Sequence, residues 1–275
     1  MRKIIILMLL LSLGLVDTAY ARHKKHVQKK QVHSVIHTHA NYLLVNLTDN
    51  SVVNSSYDNQ KLSIASISKL MTVYTVMKND ENMYEVLTVT HSPVNHTRLN
   101  KGMALTRMDL VKLALIHSDN LAAITLAENG KGGFNNFIGD MNTNARSLGM
   151  FNTVFYEPTG LDANNSSTLS DIATLTAEVS KYDVFREAAQ TEKPLTVHAI
   201  KKNRLINIIV SPTSTMFGKE GIITIKTGFT NAAGFCITML VNCENKLYSL
   251  TVLGARTKQE RKIIVEKSLQ MINQV

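Results

Sequence analysis

Three short motifs constrain this chain more than anything else in it. Ser66-Ile67-Ser68-Lys69, Ser118-Asp119-Asn120 and Lys226-Thr227-Gly228 each occur once, in that order. Each is a weak signal alone. Together, in suitable local settings, they point to acyl transfer through a serine ester, with lysine rather than histidine handling the proton. A fold that uses them must bring distant parts of a 275-residue chain to one place.

The hydrophobic pattern suggests how. Residues 42–47 read as a strand, Thr48-Asp49-Asn50 as a turn, and Ser51-Val52-Val53 as a returning strand. Residues 63–78 carry Ile67, Leu70, Met71, Tyr74 and Met77 at helical spacing, closed by Asn79-Asp80. Thr106 caps the next helix, with Asp109 three residues on, and that helix runs toward Ser118. Residues 121–128 and 134–148 read as further helices, ended by Gly130 and Gly149. In the last third, 222–225, 233–241 and 247–253 are β-rich, with a hairpin turn at Asn242-Cys243-Glu244-Asn245. Residues 257–273 form a final amphipathic helix. The expectation is an α/β (α+β) fold. One antiparallel sheet comes from both chain ends and is flanked by helices, the middle forms a helical lobe, and the motifs fall at the seams.

The chemistry needs those residue types at that spacing. Lys69 follows Ser66 by three residues on one helix face, so its amine reaches the serine hydroxyl. The helix start also presents free backbone N–H groups to a developing oxyanion. The ordinary alternative is a capping serine and a solvated lysine. Ile64, Ala65, Ile67, Leu70 and Met71 bracket the pair and argue against it. A lysine at its usual pKa of about 10.4 is protonated and cannot act as a base. Burial and a second cation both lower that value, and Lys226 is the natural second cation. Thr227 is placed to bind a carboxylate or peptide, and Gly228 to let substrate approach the backbone. Ser118 is expected to relay a proton at the leaving amine. Asn120 is expected to bond a substrate amide and fix the lysine. Ser118-Asp119-Asn120 also reads as a plain helix break. His117 adjoins it without an evident carboxylate partner and reads as packing or surface.

Before the first strand, residues 1–21 have a positive start, an apolar run and an Ala19-Tyr20-Ala21 end, the pattern of a secretory signal peptide. The apolar run is short for a membrane span, so the mature chain is expected to carry no transmembrane segment. It is expected to be exported, soluble or peripherally attached; the family resemblance described below implies a periplasm. Residues 22–39 carry Arg22, Lys24, Lys25, Lys29 and Lys30 with no acid, plus five histidines. This reads as a flexible basic leader suited to an anionic wall polymer, with metal binding the lesser alternative. That segment takes most of the formal net charge of +9, leaving residues 40–275 only mildly basic, so nucleic acid is not an expected partner. Cys236 and Cys243 lie along one strand, roughly 20 Å apart, too far for a disulfide. No metal or organic cofactor is implied.

These motifs and their surroundings resemble the low-molecular-mass penicillin-binding proteins, the D-alanyl-D-alanine peptidase family. The resemblance runs from the segment around Ser66 and Lys69 through Leu105-Thr106-Arg107 and Ser118-Asp119-Asn120. It continues through Glu157-Pro158-Thr159-Gly160-Leu161, residues 226–234 and Gly254-Ala255-Arg256. It implies a β-lactamase/DD-peptidase-like fold for residues 40–275. Ser66 is then the nucleophile and Lys69 the base, assisted by Ser118 and Asn120. Lys226, Thr227, Gly228 and Phe229 bind substrate, with the N–H groups of Ser66 and Phe229 as the oxyanion hole. Peptidoglycan stem peptides are the implied substrate, and β-lactam antibiotics the covalent inhibitors. The chain stops one helix after Gly254-Ala255-Arg256, and so looks more like the short endopeptidases of the penicillin-binding protein 7 kind than the longer carboxypeptidases. A β-lactamase needs a carboxylate to hold the deacylating water, and Glu157 is the one candidate. A wall-binding protein without activity is the remaining reading, against which the intact trio stands.

Overall fold

Strands from both ends of the chain pair, as the hydrophobic pattern predicts. The structure, a computed structural model, describes Ile36, residues 38–56 and residues 60–273. The expected signal peptide and nearly all of the leader lie outside the described residues. β1 (Asn41–Asn46) and β2 (Ser51–Ser55) join β9 (Ile222–Thr230), β10 (Gly234–Cys243) and β11 (Lys246–Ala255). The order is β2-β1-β11-β10-β9, antiparallel throughout, so β9 is an edge. Burial alternates along β1, with Tyr42 and Leu44 turned into the core. The final helix, Lys258–Ile272, is capped by Thr257 and lays Ile264, Val265 and Ile272 into the core on one sheet face. Ile36 joins the same core. Both thiols of β10, Cys236 and Cys243, are free.

The helical lobe is centred on α1 (Ser68–Lys78), in which nine residues from Ser68 to Val76 are buried. A helix buried all round has no polar face, so its spacing alone understates how central it is. Its start differs from the expected residue 63. Ser63 belongs to a short strand, β3 (Leu62–Ser63), paired with β6 (Ser166–Ser167). The chain then enters α1 through a 3-10 turn, Ala65–Ile67, with Ala65 at φ 46°. α2 (Arg107–Lys112) begins where its cap predicts, with the Asp109 amide donating to Thr106 Oγ1 at 3.1 Å. It does not run on as an α-helix to Ser118. Leu113–His117 widens into a π turn, and Ser118 is left-handed at φ 62°. α3 (Asn120–Glu128) and α4 (Gly133–Ser147) follow close to expectation.

The sequence pattern predicts no element across 162–221, and there the structure adds most. α5 (Leu169–Val179) and α6 (Asp183–Ala189) lead to a hairpin, β7 (Leu195–Lys201) and β8 (Arg204–Val210). With β4 (Val86–Thr88) and β5 (Ala104–Thr106) the hairpin makes a second sheet, β4-β5-β7-β8, so the single-sheet expectation is incomplete. The final helix is α7 in this count.

Arg107 ties this lobe together from within. It is 1% exposed and pairs with Glu81 at 3.0 Å and with Glu85. It also donates to the carbonyls of Asn82 and Asn129. Without Arg107 the half-exposed Glu85 stays solvated, but the mostly buried Glu81 loses its cation, and stranding a buried charge costs about 3–5 kcal/mol. Arg107→Met is therefore expected to lower unfolding stability by that order, read as a fall in the urea midpoint. A variant within about 0.5 kcal/mol of wild type, the range of ordinary surface substitutions, contradicts this account of the network.

Candidate active site

The three motifs meet in one cleft of about 720 Å³, whose lining includes Ser66, Ser118, Asn120, Thr227, Gly228 and Phe229. Lys69 and Lys226 lie beneath its surface, both fully buried. Ser66 sits on the 3-10 turn, one residue past left-handed Ala65. Its Oγ is 2.9 Å from Lys69 Nζ. The same amine is 2.6 Å from Asn120 Oδ1 and 2.7 Å from the Thr159 carbonyl. This count matters chemically. A neutral amine has two N–H donors and one lone pair. Asn120 and Thr159 present only acceptors, so they take the two hydrogens and leave the lone pair for the Ser66 hydroxyl proton.

Burial is what makes that neutral form accessible. It drives Lys69 from the usual 10.5 to about 7, against the pull of the Glu157 and Asp119 carboxylates. The expected second cation is not what acts most on Lys69. Repulsion between the amines is felt at Lys226, whose pKa is pushed well down first by burial, then by Lys69 and Arg261. Lys226 Nζ donates to Ser118 Oγ at 2.8 Å and to the Thr227 carbonyl at 2.9 Å.

The second motif is held from several sides. Asp119 is buried and caps α3, accepting from the Ala122 amide at 2.9 Å. It also accepts from Thr97 Oγ1 at 2.8 Å and the Arg98 amide at 2.6 Å. Asn120 Nδ2 donates to the Asn95 carbonyl at 2.6 Å, and its amide to the His96 carbonyl at 3.1 Å. His117, read from sequence as packing or surface, does pack, and it also lines the cleft. It stacks on His96 with centroids 5.1 Å apart, and its Nδ1 faces the Ser211 carbonyl at 3.2 Å. Residues 211–213 form a strap from the π turn to β9. The Thr213 amide donates to the Ile116 carbonyl, and Thr227 Oγ1 donates to Thr213 Oγ1 at 2.7 Å.

Gly228 is needed for space, but the close approach is made by the protein itself. A Cβ there would stand 2.9 Å from Ser66 N and 3.0 Å from Ala65 Cβ, so β9 packs against the nucleophile turn. Gly160 backs the same turn from the other side, at φ 82°, where a Cβ would fall 1.8 Å from the Ala65 carbonyl oxygen. Glu157 is committed to its own loop. Its carboxylate accepts from the Thr159 amide at 2.7 Å, Thr159 Oγ1 at 2.6 Å, the Gly160 amide at 2.5 Å and Asn165 Nδ2 at 3.1 Å. So occupied, it shapes the loop that offers the Thr159 carbonyl to Lys69. Phe229 is half exposed at the cleft rim and stacks on Phe235, centroids 4.2 Å apart. Lys258 and Arg261 of α7 add positive charge to the lining.

Asn95, His96, Thr213 and Asn165 carry no mark in the sequence, because each serves through a backbone or hydroxyl partner that only the fold supplies. Asn165, fully buried, donates to Ser68 Oγ at 3.0 Å and to the Glu157 carbonyl at 2.8 Å.

The chain matches the family described as D-alanyl-D-alanine carboxypeptidase over residues 26–257. It is 35% identical over 220 residues to the D-alanyl-D-alanine endopeptidase of Escherichia coli (strain K12), covering 78% of this chain and 70% of that one. It is 36% identical over 206 residues to the D-alanyl-D-alanine endopeptidase of Pseudomonas aeruginosa, covering 70% of this chain and 63% of that one. Among solved structures it is similar to the Streptomyces K15 DD-transpeptidase, with a TM-score of 0.77, 23% identity, and 85% and 96% of the two chains covered. It is also similar to penicillin-binding protein D2 from Listeria monocytogenes in the ampicillin-bound form, with a TM-score of 0.72, 25% identity, and 84% and 96% covered.

Proposed function

The chain belongs to the D-alanyl-D-alanine carboxypeptidase family, and we propose that it acts as an endopeptidase on peptidoglycan, cutting the D-alanyl-diaminopimelate cross-link between two stem peptides. One observation carries the reaction class: a fully buried lysine amine within hydrogen-bond distance of Ser66 Oγ, Asn120 Oδ1 and the Thr159 carbonyl, an arrangement in which a neutral amine keeps its lone pair for Ser66. Lys69 accepts the Ser66 proton as Oγ attacks the D-alanyl carbonyl carbon. The oxyanion is received by the N–H groups of Ser66 and Phe229. As the C–N bond breaks, the proton held by Lys69 passes by way of the Ser118 hydroxyl, itself held by Lys226, to the departing amine, and Lys69 returns to its neutral form. Water then hydrolyses the Ser66 ester, with Lys69 again accepting the proton, and a stem ending in D-alanine is released.

An extended peptide suits this cleft. β9 is an edge strand, and its residues 227–230 line the cleft, so a substrate can lie along it as an added strand. A β-lactam presents the same amide in strained form and is proposed to acylate Ser66. Glu157 is occupied by its loop and is not free to hold a deacylating water, so the acyl-enzyme should persist rather than turn over as in a β-lactamase. A location outside the cytoplasm, in a periplasm, is part of this proposal, and the apolar run at residues 4–16 supports export.

Endopeptidase is preferred to carboxypeptidase because the two relatives reported above carry that name. The test offers cross-linked dimeric muropeptide and monomeric pentapeptide separately and compares kcat/KM. Monomers from the dimer at the higher kcat/KM are expected. Faster release of D-alanine from the pentapeptide assigns the enzyme as a carboxypeptidase, and no product from either overturns the peptidase reading.

A further inference from the structure

Among the described residues the second sheet leaves one face uncovered, and there exposed aliphatic side chains stand among Thr88, Thr196, His198 and Asn207. Of the thirteen large apolar side chains exposed among the described residues, Val86, Ile200, Leu205 and Ile209 all stand on it. Strand register sets them in rows. Thr88, Ala104, Ile200 and Leu205 form one row across the four strands, and Ile209 lies opposite Thr196 further along the hairpin. Leu205 and Ile209 are 67% and 63% exposed, whereas Val197, Ala199, Ile208 and Val210 on the opposite face are buried. β8 is the edge strand, so no further strand of the described chain pairs beyond it. The hairpin turn at the end of this sheet is basic. Lys202 and Asn203 form a tight turn, both at positive φ, flanked by Lys201 and Arg204, which pair with each other toward the opposite face. The Lys101-Gly102 turn abuts Lys201, whose Cε is 3.9 Å from where a Gly102 Cβ would be. None of these four cations is in an ion pair among the described residues.

We infer that the β7–β8 hairpin is a docking surface for an anionic lipid bilayer. Clustered cations are drawn to acidic headgroups, and exposed aliphatic side chains beside them enter the boundary between headgroups and acyl chains. The combination selects this occupant. An anionic wall polymer would pair with the lysines but gain nothing from Ile200, Leu205 and Ile209. A second copy stacked on this face would offer the cations no acid, since the face itself carries no Asp or Glu. β8 runs directly into Ser211 and Thr213 of the cleft wall, so docking the hairpin holds the cleft at a fixed place over the membrane surface. The inference does not depend on which bond the cleft cuts.

The chain contains no tryptophan, so Leu205→Trp supplies a single reporter in the full-length protein. With phosphatidylcholine vesicles containing phosphatidylglycerol, its emission should shift blue and be quenched by brominated acyl chains. With phosphatidylcholine alone it should do neither. Lys202→Glu with Arg204→Glu in that background should weaken partitioning at least about twentyfold, since each cation near an acidic surface contributes about fivefold. Labelling by fluorescent penicillin shows that each variant is folded. Vesicle binding that leaves the indole of the Leu205→Trp variant unquenched would assign the attraction to another surface, such as basic residues 22–30, and would overturn the inference. Absence of vesicle binding overturns it too, as does an Ile209→Ser variant that loses a dimer in sedimentation while its vesicle partitioning is unchanged.

Discussion

Ser66→Ala is expected to abolish covalent labelling by penicillin. Wild-type protein should gain one adduct by intact mass spectrometry, mapping to the peptide that holds Ser66, and the variant none. Two serine hydroxyls line the cleft beside a buried lysine, so the assignment is a real choice. Ser118 also touches an amine, Lys226, at 2.8 Å. The surroundings differ in what they offer an attacking oxygen. Ser66 stands on the turn entering α1 and faces a lysine that has two other acceptors, Asn120 Oδ1 and the Thr159 carbonyl, so its neutral form has a lone pair left for Ser66. Lys226 instead donates to Ser118 and to its own strand, which suits Ser118 to passing a proton rather than forming the ester. An adduct on Ser118, or labelling retained in Ser66→Ala, would overturn this division of roles.

How much of this is legible in the sequence depends on the kind of interaction. The five-stranded sheet and the helices α1 to α4 can be anticipated because their apolar residues repeat with periods of 2 or 3.6 and their ends carry Thr106, Gly130 and Gly149. The residues of the three motifs can be anticipated because the chemistry demands them at fixed spacing. The second sheet cannot. β4 and β5 have three residues each, too few to show a period, and β8 exposes Leu205 and Ile209 where alternation would call for polar side chains. Helix α5 does carry a signal, Thr168 capping with Asp171 three residues on, of the same kind that marks α2. The supporting shell is hidden for a different reason. The Thr159 carbonyl, the Asn95 carbonyl and the Ala65 backbone act through main-chain atoms that every residue has, so no side chain advertises them. Gly160 and Gly228 do advertise a constraint, but only the fold shows that both press on the same turn.

Lys69→Arg is expected to slow acylation by penicillin at least about a hundredfold, the low end of what a positioned base contributes. Arginine keeps the charge but cannot give up its proton near neutrality. The wild-type pH profile should identify the base independently. The active form is the neutral amine, and burial lowers Lys69 from 10.5 to about 7. The acylation rate should therefore be low below pH 7, rise as pH passes through about 7, and level off above it. An unshifted lysine would keep the rate climbing toward pH 10. Lys226 is buried as deeply and its pKa is also driven down, so the rising limb belongs to the coupled pair until variants separate it. Lys69→Arg should remove the limb altogether, leaving a slow, flat profile. Lys226→Arg touches the Ser118 side of the site and should lower the rate while a limb remains, because the lone pair facing Ser66 is still there to be titrated. A normal limb in Lys69→Arg would transfer the role of base to Lys226 and reverse the direction in which protons are proposed to cross the cleft.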